Sequence, residues 1–388
     1  MSIYAQNLLR ELVALGHEVT MISQYRGDAI GTAIYGGGPP PPVPGVRVIG
    51  LEQLGEQDGG DFERDVDVLV RTIAHEHDAA PFDLLHAQYG YPTGWAALLA
   101  GRALGLPVIV SIQGGDGHWV GSCCETHRLA MVRVLEHADA LLIGGRSFAL
   151  EVHERLGTPL DRFTIVPGAV DTNRFTPAGE PAAGQSARSL YHGRVDRRKG
   201  VLDFLDALAG MLGQRWTANV SGIGPDLAAA QERAATLGLG SRVSFSGYAD
   251  YATVPDIYRA HDLFVSPTYA EGFSNTILEA MASGLPVVAG RSVGVVDCLR
   301  DNQNGLLIEP VDVPALVDAL TRVMGDAALR ARLAAAALEE CRRTYSWTAV
   351  GRQIGEIYRS LAGSTRWHDF PVDLPLEPCR FRAEPHLL

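Results

Sequence analysis

The most constraining feature of the chain is a central segment in which strand, glycine-containing loop, helix and second strand follow one another. Residues 263–265 form a short apolar run that ends before Pro267, which predicts a buried strand. The apolar spacing after Asn275 is helical, and Gly284 marks the end of that helix. Residues 286–289 predict the next strand. This alternation is typical of a parallel α/β sheet.

Two carboxylates flank the predicted start of that helix. Ser274 and Asn275 are good N-cap residues, and free N–H groups at a helix start attract phosphate. Glu271 lies in the loop before the helix, and Glu279 follows Asn275 by four residues on the same helical face. An ordinary acid in an early helical turn, which the helix dipole favours, would also explain Glu279.

The spacing of the two glutamates, E-x7-E, resembles the signature of the retaining glycosyltransferases with the GT-B fold. The closest family resemblance is to the GT4-like family, also described as glycosyl transferases group 1. It implies an α/β chain with two facing Rossmann-like, doubly wound domains and an interdomain cleft. It also implies that Glu271 orients a donor sugar, that Glu279 binds the ribose hydroxyls, and that the donor contacts the loop and helix start at Gly272, Phe273, Ser274 and Asn275.

A second motif, G-R-V-D-R-R-K-G at 193–200, follows the first predicted strand of the C-terminal half. It resembles the family element G-R-x-x-x-x-K-G, which implies that Arg194 and Lys199 bind the donor diphosphate. Arginine suits bidentate phosphate contacts, and lysine supplies a mobile point charge. Arg197 and Arg198 are predicted to be a solvated basic turn.

Two weaker elements lie near the same predicted site. The turn Gly222-x-Gly224-Pro225 is too short to count as a dinucleotide fingerprint, although the family has a similar turn near the nucleotide. Residues 243–248 match the family segment that lines the base, and an ordinary strand end explains them equally well. The resemblance implies backbone contacts to the donor from Gly193, Gly247 and Tyr248.

The implied chemistry needs cations rather than a metal. Breaking a sugar–phosphate bond builds negative charge on the leaving diphosphate, which preorganised cations and helix amides stabilise. The resemblance implies a metal-independent reaction without a separate cofactor, with the nucleotide-diphosphate sugar as donor substrate, retained anomeric configuration and same-face attack.

Composition limits the class of protein. At 388 residues two domains are expected, and 46% hydrophobic with 20% charged residues suits a well-packed α/β protein. The formal net charge of −12 argues against a nucleic-acid partner. No apolar run reaches about 18 residues, so no transmembrane span is predicted, while peripheral membrane contact stays open. Five cysteines and the lack of a recognisable leader predict a reducing, cytoplasmic location.

The predicted domains are residues 1–168 on the acceptor side, 169–345 for the nucleotide sugar, a helix at 346–362 returning to the first domain, and a tail at 363–388. The chain begins with a helix, where a doubly wound domain should begin with a strand and a glycine-rich loop. Because that strand is central, its absence predicts a gap in the first sheet. A late start assignment or truncation explains this; alternatively, neighbouring strands close the gap and leave a weakened enzyme or a non-catalytic relic.

The acceptor side departs from the family pattern. Gln113 stands where many members have histidine, and His118 is a candidate for contact with the donor sugar or the acceptor. His86, at a strand end, is a weaker candidate. The spacing of His118, Cys123, Cys124 and His127 does not match common structural zinc sites, so packing roles are expected for the two thiols.

The leading hypothesis is a metal-independent retaining glycosyltransferase acting on a glycan or lipid-linked acceptor. The alternatives are a hydrolase or epimerase of nucleotide sugars on the same fold, and a truncated, non-catalytic nucleotide-sugar-binding protein. A further departure is the turn at 293–297, whose acid is Asp297 where the family often has Glu.

Overall fold

A computed structural model describes residues 3–28, 38–114, 123–178, 187–269 and 271–377. The chain forms two compact units. Unit 1 comprises residues 1–167 and 351–388, and unit 2 comprises residues 168–350. His118 and the end of the tail, residues 378–388, lie outside the described residues.

Unit 1 alternates helices and parallel strands. Its helices before the start of unit 2 are α1 (Ile3–Ala14), α2 (Leu54–Gln57), α3 (Phe62–Ala79), α4 (Trp95–Leu104), α5 (Glu125–His137) and α6 (Arg146–Leu156). Its strands are β1 (Val19–Tyr25), β2 (Val46–Glu52), β3 (Leu85–Gln88), β4 (Val108–Ile112), β5 (Ala140–Ile143) and β6 (Phe163–Ile165).

The sheet of unit 1 is in two pieces. Strand β1 pairs only with β2, and β3 to β6 form a separate four-stranded parallel sheet. In the doubly wound order 3-2-1-4-5-6, β2 and β1 take positions 3 and 2, and β3 takes position 4. Within the described ranges no strand pairs with both β1 and β3, so the gap expected at the central strand is present.

The burial of the strand residues in unit 1 agrees with this gap. All five residues of β4 are buried, as expected for a parallel strand covered on both faces. In β1, Ser23 is the one buried residue and the other six are half-buried. A strand with this exposure lies at the edge of its sheet.

Unit 2 has the same kind of elements. Its helices are α7 (Val201–Ala209), α8 (Leu227–Thr236), α9 (Val254–Arg259), α10 (Asn275–Ala282), α11 (Val313–Gly325) and α12 (Ala327–Thr344). Its strands are β7 (Ala187–His192), β8 (Trp216–Ser221), β9 (Val243–Gly247), β10 (Leu263–Ser266), β11 (Val287–Gly290) and β12 (Leu306–Ile308).

The sheet of unit 2 is continuous. Its order is β12-β11-β10-β7-β8-β9, which is the order 3-2-1-4-5-6 with β7 as the first strand. Side chains alternate between two core clusters, because successive residues of a strand face opposite sides. Leu263 and Val265 of β10 join one cluster, and Phe264 joins the other. This two-faced burial is typical of a doubly wound sheet.

The last helix, α13 (Trp347–Leu361), begins in unit 2 and continues in unit 1. In unit 1 its Tyr358 contacts the rings of His17 and His86 edge-on. The tail then packs on unit 1, where the Arg366 amide donates to the Gly105 carbonyl and Phe370 is buried against Trp95. Over the part of the chain that the structure describes, none of the helices is long and apolar enough to cross a bilayer.

Candidate functional site

The two motifs of unit 2 follow adjacent strands at the point where the strand order reverses. Strands β7 and β10 pair in parallel, with Leu263 opposite Ser189. The chain leaves β7 towards β8 on one side and leaves β10 towards β11 on the other. Open α/β sheets take ligands outside the carboxyl ends of the strands at such a point. We call the described residues that follow these two strands, 193–200, 267–269 and 271–276 together with Glu279, the switch-point site.

Glycines join the ends of three neighbouring strands there. The Gly193 amide donates to the Ser221 carbonyl (3.0 Å), and the Gly222 amide donates to the Gly247 carbonyl (2.8 Å). Gly222 has φ +142°, and a Cβ on it would lie 1.8 Å from the Gly193 carbonyl oxygen. No other residue fits at 222, because both the backbone conformation and the space exclude a side chain. The turn that begins at Gly222, a weak signal in the sequence, therefore lets the ends of β7 and β8 come close together beside the site.

The basic loop after Gly193 is held by two carboxylates. Asp196 accepts hydrogen bonds from the Arg198 amide (2.9 Å) and guanidinium, and Asp226 accepts from the Arg197 amide (2.8 Å) and guanidinium. Burial tends to raise the pKa of Asp196, but the hydrogen bonds and charge of Arg198 outweigh it and lower that pKa. Arg197 and Arg198 are therefore paired side chains that fix the loop, rather than simply a solvated turn.

Lys199 and Glu271 contact each other directly. The Lys199 Nζ lies 2.7 Å from the Glu271 Oε1, and both side chains are partly buried. The two loops are also joined by their backbones, since the Tyr269 amide donates to the Arg198 carbonyl (2.9 Å). Gly200 closes this contact, because a Cβ there would lie 2.1 Å from the Pro267 carbonyl oxygen. The two residues expected to bind the diphosphate and the sugar are thus neighbours.

The backbone of Glu271 is fixed by the turn after β11. Its amide donates to the Val293 carbonyl (3.1 Å). Gly294 has φ +78°, and a Cβ on it would lie 2.5 Å from the Glu271 carbonyl oxygen. The turn that departs from the family pattern therefore still supports the carboxylate loop.

Helix α10 begins at the site without a side-chain cap. Ser274 is its N-cap residue, is buried, and makes no capping hydrogen bond from its side chain. The Asn275 Oδ1 is buried and has no hydrogen-bond partner. A Cβ on Gly193 would lie 3.8 Å from the Thr276 Cγ2, so the first loop reaches the first turn of α10. Uncapped amides and the helix dipole together favour an anion at this position.

Glu279, in the second turn of α10, is half-buried. Burial raises its pKa to about 7, although the hydrogen bond from Tyr258 and the charge of Arg174 act in the opposite direction. The Tyr258 hydroxyl donates to the Glu279 Oε2 (2.9 Å). His192, at the end of β7, contacts the Tyr258 ring edge-on and has its pKa lowered to about 4 by burial. Glu279 therefore has a strongly perturbed pKa, which is typical of functional sites.

Arg174 and Tyr258 were not predicted from the sequence. The Arg174 guanidinium lies 4.2 Å from the centre of the Tyr251 ring and influences the Glu279 carboxylate by its charge. Both residues meet Glu279 through packing of separate segments of unit 2. No local sequence motif indicated that Arg174 and Tyr258 would lie near Glu279.

The remaining predicted residues are placed as follows. Gly272 is buried beside the turn at Gly294, and Phe273 packs its ring on Tyr345, with centroids 5.8 Å apart. Gly247 ends β9 with φ +68°, and Tyr248 after it is 74% exposed. The Arg194 Nε lies 3.4 Å from the Asp196 Oδ2.

In unit 1, His86 lies in β3, and Gln113 directly follows β4. The Gln113 side-chain Nε2 donates a hydrogen bond to the Gln88 Oε1 (3.1 Å). His86 bonds Ser111 (2.8 Å) and Tyr358 (2.5 Å), and burial lowers its pKa to about 4. His86 is thus a half-buried histidine that links β3, β4 and α13 by hydrogen bonds.

Two family models match the chain, one in each part. The model for glycosyl transferases group 1 matches residues 174–340, and the model for the glycosyl transferase 4-like domain matches residues 1–169. The lipopolysaccharide core biosynthesis mannosyltransferase LpsB of Rhizobium meliloti (strain 1021) is 38% identical over 219 residues, which cover 51% of this chain and 61% of that protein. The chain spans about 60% of the length of the first curated relatives it matches.

Solved structures share the fold. Sucrose-phosphate synthase from Thermosynechococcus elongatus superposes with a TM-score of 0.74 at 24% identity, over 92% of each chain. Alr3699/HepE of Anabaena, solved in complex with UDP, superposes with a TM-score of 0.67 at 20% identity, over 81% of this chain and 86% of that one. Both likenesses agree with an α/β architecture of two Rossmann-like domains.

Proposed function

Because the chain belongs to the glycosyl transferases group 1, a GT4-like family with the GT-B fold, we propose that it is a retaining glycosyltransferase. Its donor is a nucleotide-diphosphate sugar, and its acceptor is a glycan or a lipid-linked glycan. The observation that carries this proposal is the switch-point site, where Lys199, Glu271 and the uncapped start of α10 lie together.

Each group at the site has a role in the proposed reaction. The diphosphate charge is neutralised by Arg194, Lys199 and the backbone amides of α10. Glu271 orients the sugar, and Glu279 accepts hydrogen bonds from the ribose hydroxyls. The bond between the anomeric carbon and the diphosphate breaks, and the acceptor hydroxyl oxygen bonds to that carbon on the same face. The acceptor proton passes to the leaving diphosphate, so no carboxylate nucleophile is needed.

The proposed transfer is independent of a metal at the diphosphate. The leaving charge is met by Arg194, Lys199 and the helix dipole of α10, which are preorganised for it. Transfer should therefore continue in the presence of a chelator. Complete loss of donor binding on chelation, with recovery on adding Mg²⁺, would contradict this part of the proposal.

The proposed location is the cytoplasm, with contact to a membrane surface only through the acceptor. Cys123, Cys124, Cys298 and Cys341 are free thiols, which supports a reducing compartment. Fractionation of cells expressing the tagged chain, with and without a salt wash of the membranes, tests both parts.

The first experiment is a binding screen by calorimetry with UDP-, GDP- and ADP-sugars, followed by product analysis with candidate acceptors. Arg194→Ala and Lys199→Ala should each weaken the best donor about 10- to 100-fold, because each removes a charge-assisted phosphate contact. Arg233→Ala is the matched control, since that guanidinium pairs with Asp206 between α7 and α8 and belongs to neither motif. Equal weakening in all three variants would indicate a general charge effect and contradict the assigned roles.

A second candidate is a protein that binds nucleotide sugars without transferring the sugar. The split sheet of unit 1 favours it, because β1 and β3 lack a common neighbour in the described part of the chain. Donor binding that disappears with Lys199→Ala, without any transfer or hydrolysis product, would support this candidate over the first. Hydrolysis at a rate rivalling transfer would instead support a hydrolase.

A further inference from the structure

Three metal-ligating side chains of unit 1 converge at the start of α5. Cys123 and Cys124 immediately precede this helix, and His127 is its third residue. The Cys123 Sγ lies 2.9 Å from the His127 Nδ1, and the ligand atoms of all three residues lie within 4.8 Å of one another. A tetrahedral zinc ion needs such atoms about 3.5–3.8 Å apart, given Zn–S and Zn–N bonds of about 2.3 and 2.0 Å, so the Cys123 Sγ would move away from the His127 Nδ1 by about 0.6 Å on binding.

The ring of His127 is held in a fixed orientation. It is fully buried, with the Tyr91 ring 4.5 Å away and the Phe62 ring 5.7 Å away in an edge-on arrangement. This packing turns Nδ1 towards the Cys123 sulfur. A rigid imidazole is a good ligand, because little side-chain freedom is lost when it binds.

The thiols lie where anions are favoured. Cys124 is the N-cap residue of α5, a helix of 13 residues, and its side chain makes no capping hydrogen bond. The dipole at a helix start stabilises thiolates, which are the ligand form of cysteine. The cluster therefore offers two thiolates and one imidazole, a set that selects soft or borderline cations over Mg²⁺ and Ca²⁺.

We propose that Cys123, Cys124 and His127 bind one Zn²⁺ ion, with the fourth tetrahedral position open to an exogenous oxygen. Binding releases the two thiol protons to solvent, and the metal takes the place of the hydrogen bond between the Cys123 Sγ and the His127 Nδ1. The site lies after β4, at the carboxyl edge of the unit 1 sheet, where open α/β sheets take ligands. It belongs to unit 1, whereas the switch-point site belongs to unit 2.

The test is a Co²⁺ titration of the full chain after reduction and removal of metal. We expect one equivalent to bind, a thiolate-to-cobalt charge-transfer band, tetrahedral ligand-field bands, and displacement of cobalt by Zn²⁺. Cys123→Ala and Cys124→Ala should each weaken zinc binding more than about 100-fold, beyond the 10- to 100-fold cost of losing a group that only supports a ligand. Cys298→Ala, which removes a buried thiol of unit 2, should bind normally.

Other results would overturn the site. Octahedral cobalt without a charge-transfer band, or equal affinity in Cys123→Ala and the unchanged chain, excludes thiolate ligation. Formation of a disulfide between the two cysteines with no metal uptake under reducing conditions excludes it as well. Since His127→Gln removes a buried ring, a circular dichroism spectrum checks its folding, and the two cysteine variants decide the matter if it unfolds. Donor binding in unit 2 is expected to be unchanged in every cysteine variant, which separates this test from that of the transferase proposal.

Discussion

Unit 2 has one continuous parallel sheet of six strands, whereas the described strands of unit 1 form two separate parallel sheets of two and four strands. In unit 2, β7 occupies the central position and pairs with β8 and β10 on its two sides. In unit 1 the corresponding position lies between β1 and β3, and no described strand fills it. Strand β10 of unit 2 is buried on both faces, whereas β1 of unit 1 is half-exposed, in agreement with the difference between the two sheets.

The groups proposed to bind the donor are organised in unit 2. Donor-binding groups follow β7 and β10, the two strands at the centre of the continuous sheet. Their loops are held by glycines that approach neighbouring backbones and by Asp196 and Asp226. We therefore expect unit 2 to account for donor binding.

The largest expected effect comes from Gly222→Ala, which separates the ends of β7 and β8. The φ of +142° and the contact with the Gly193 carbonyl should destabilise the protein by about 3 kcal/mol or more and abolish donor binding. Urea unfolding and calorimetry measure the two effects. Gly213→Ala is the control, because nothing lies within 4 Å of its Cβ and its φ is ordinary. Normal donor binding by Gly222→Ala would show that the site does not depend on these strand ends.

Glu279→Gln should change stability and donor binding in opposite directions. Since burial raises the pKa of Glu279 to about 7, the native state binds a proton that the unfolded state releases near pH 4.5. The stability of the unchanged chain should then fall as the pH rises from about 4.5 through 7. At pH 8 the variant should be more stable by on the order of 2 kcal/mol, and near pH 4.5 the two should match.

The same variant should bind the nucleotide sugar about tenfold more weakly at pH 8, because a charge-assisted contact is lost. Donor affinity of the unchanged chain should fall between pH 8 and 6, and that of the variant should stay flat over this range. A variant that is more stable but binds the donor normally would place Glu279 outside the site.

Hydrogen exchange tests the gap in unit 1. The amides of β1 should exchange at least about tenfold faster than those of β10, because an edge strand opens locally. Strand β4 is the internal control, since it belongs to unit 1 and is fully buried. Protection of β1 equal to that of β4 would show that the gap is closed in solution.

The smallest effect concerns the ion pair between Lys199 and Glu271. Glu271→Gln releases Lys199, so a nucleoside diphosphate without a sugar should bind about two- to fivefold more tightly, in the range of a partly exposed ion pair. The complete nucleotide sugar should bind more weakly, because its sugar loses a carboxylate partner. Glu309→Gln, which removes the partner of Arg291 in unit 2, is the matched control. Weaker binding of both ligands would contradict competition for Lys199.

The sequence predicted features whose signals are local. The strand at β10, the helix start at Ser274 and the basic loop at Arg194 are each specified within a few residues by apolar runs, glycines and caps. The gap in unit 1 was also predictable, because a doubly wound order requires a central first strand. The α/β class and the GT-B fold of this family are confirmed.

Features that depend on distant partners were not predictable. Tyr258 reaches Glu279 across 21 residues of chain, and Lys199 meets Glu271 across 72, so both contacts exist only after α9 and α10 pack on the sheet. The cluster at Cys123 was expected to serve packing, because its spacing matches no common zinc motif. Its convergence on His127 depends on the turn that starts α5 and on the rings of Tyr91 and Phe62.

Hydrogen exchange of the full chain with and without a saturating nucleotide sugar tests whether the donor binds to unit 2. If the donor binds at the switch-point site of unit 2, protection should rise in residues 193–200 and 271–279, while β1 and β2 of unit 1 stay unchanged. Protection that appears only in unit 1, or nowhere, at a donor concentration that saturates the calorimetric signal would contradict the account.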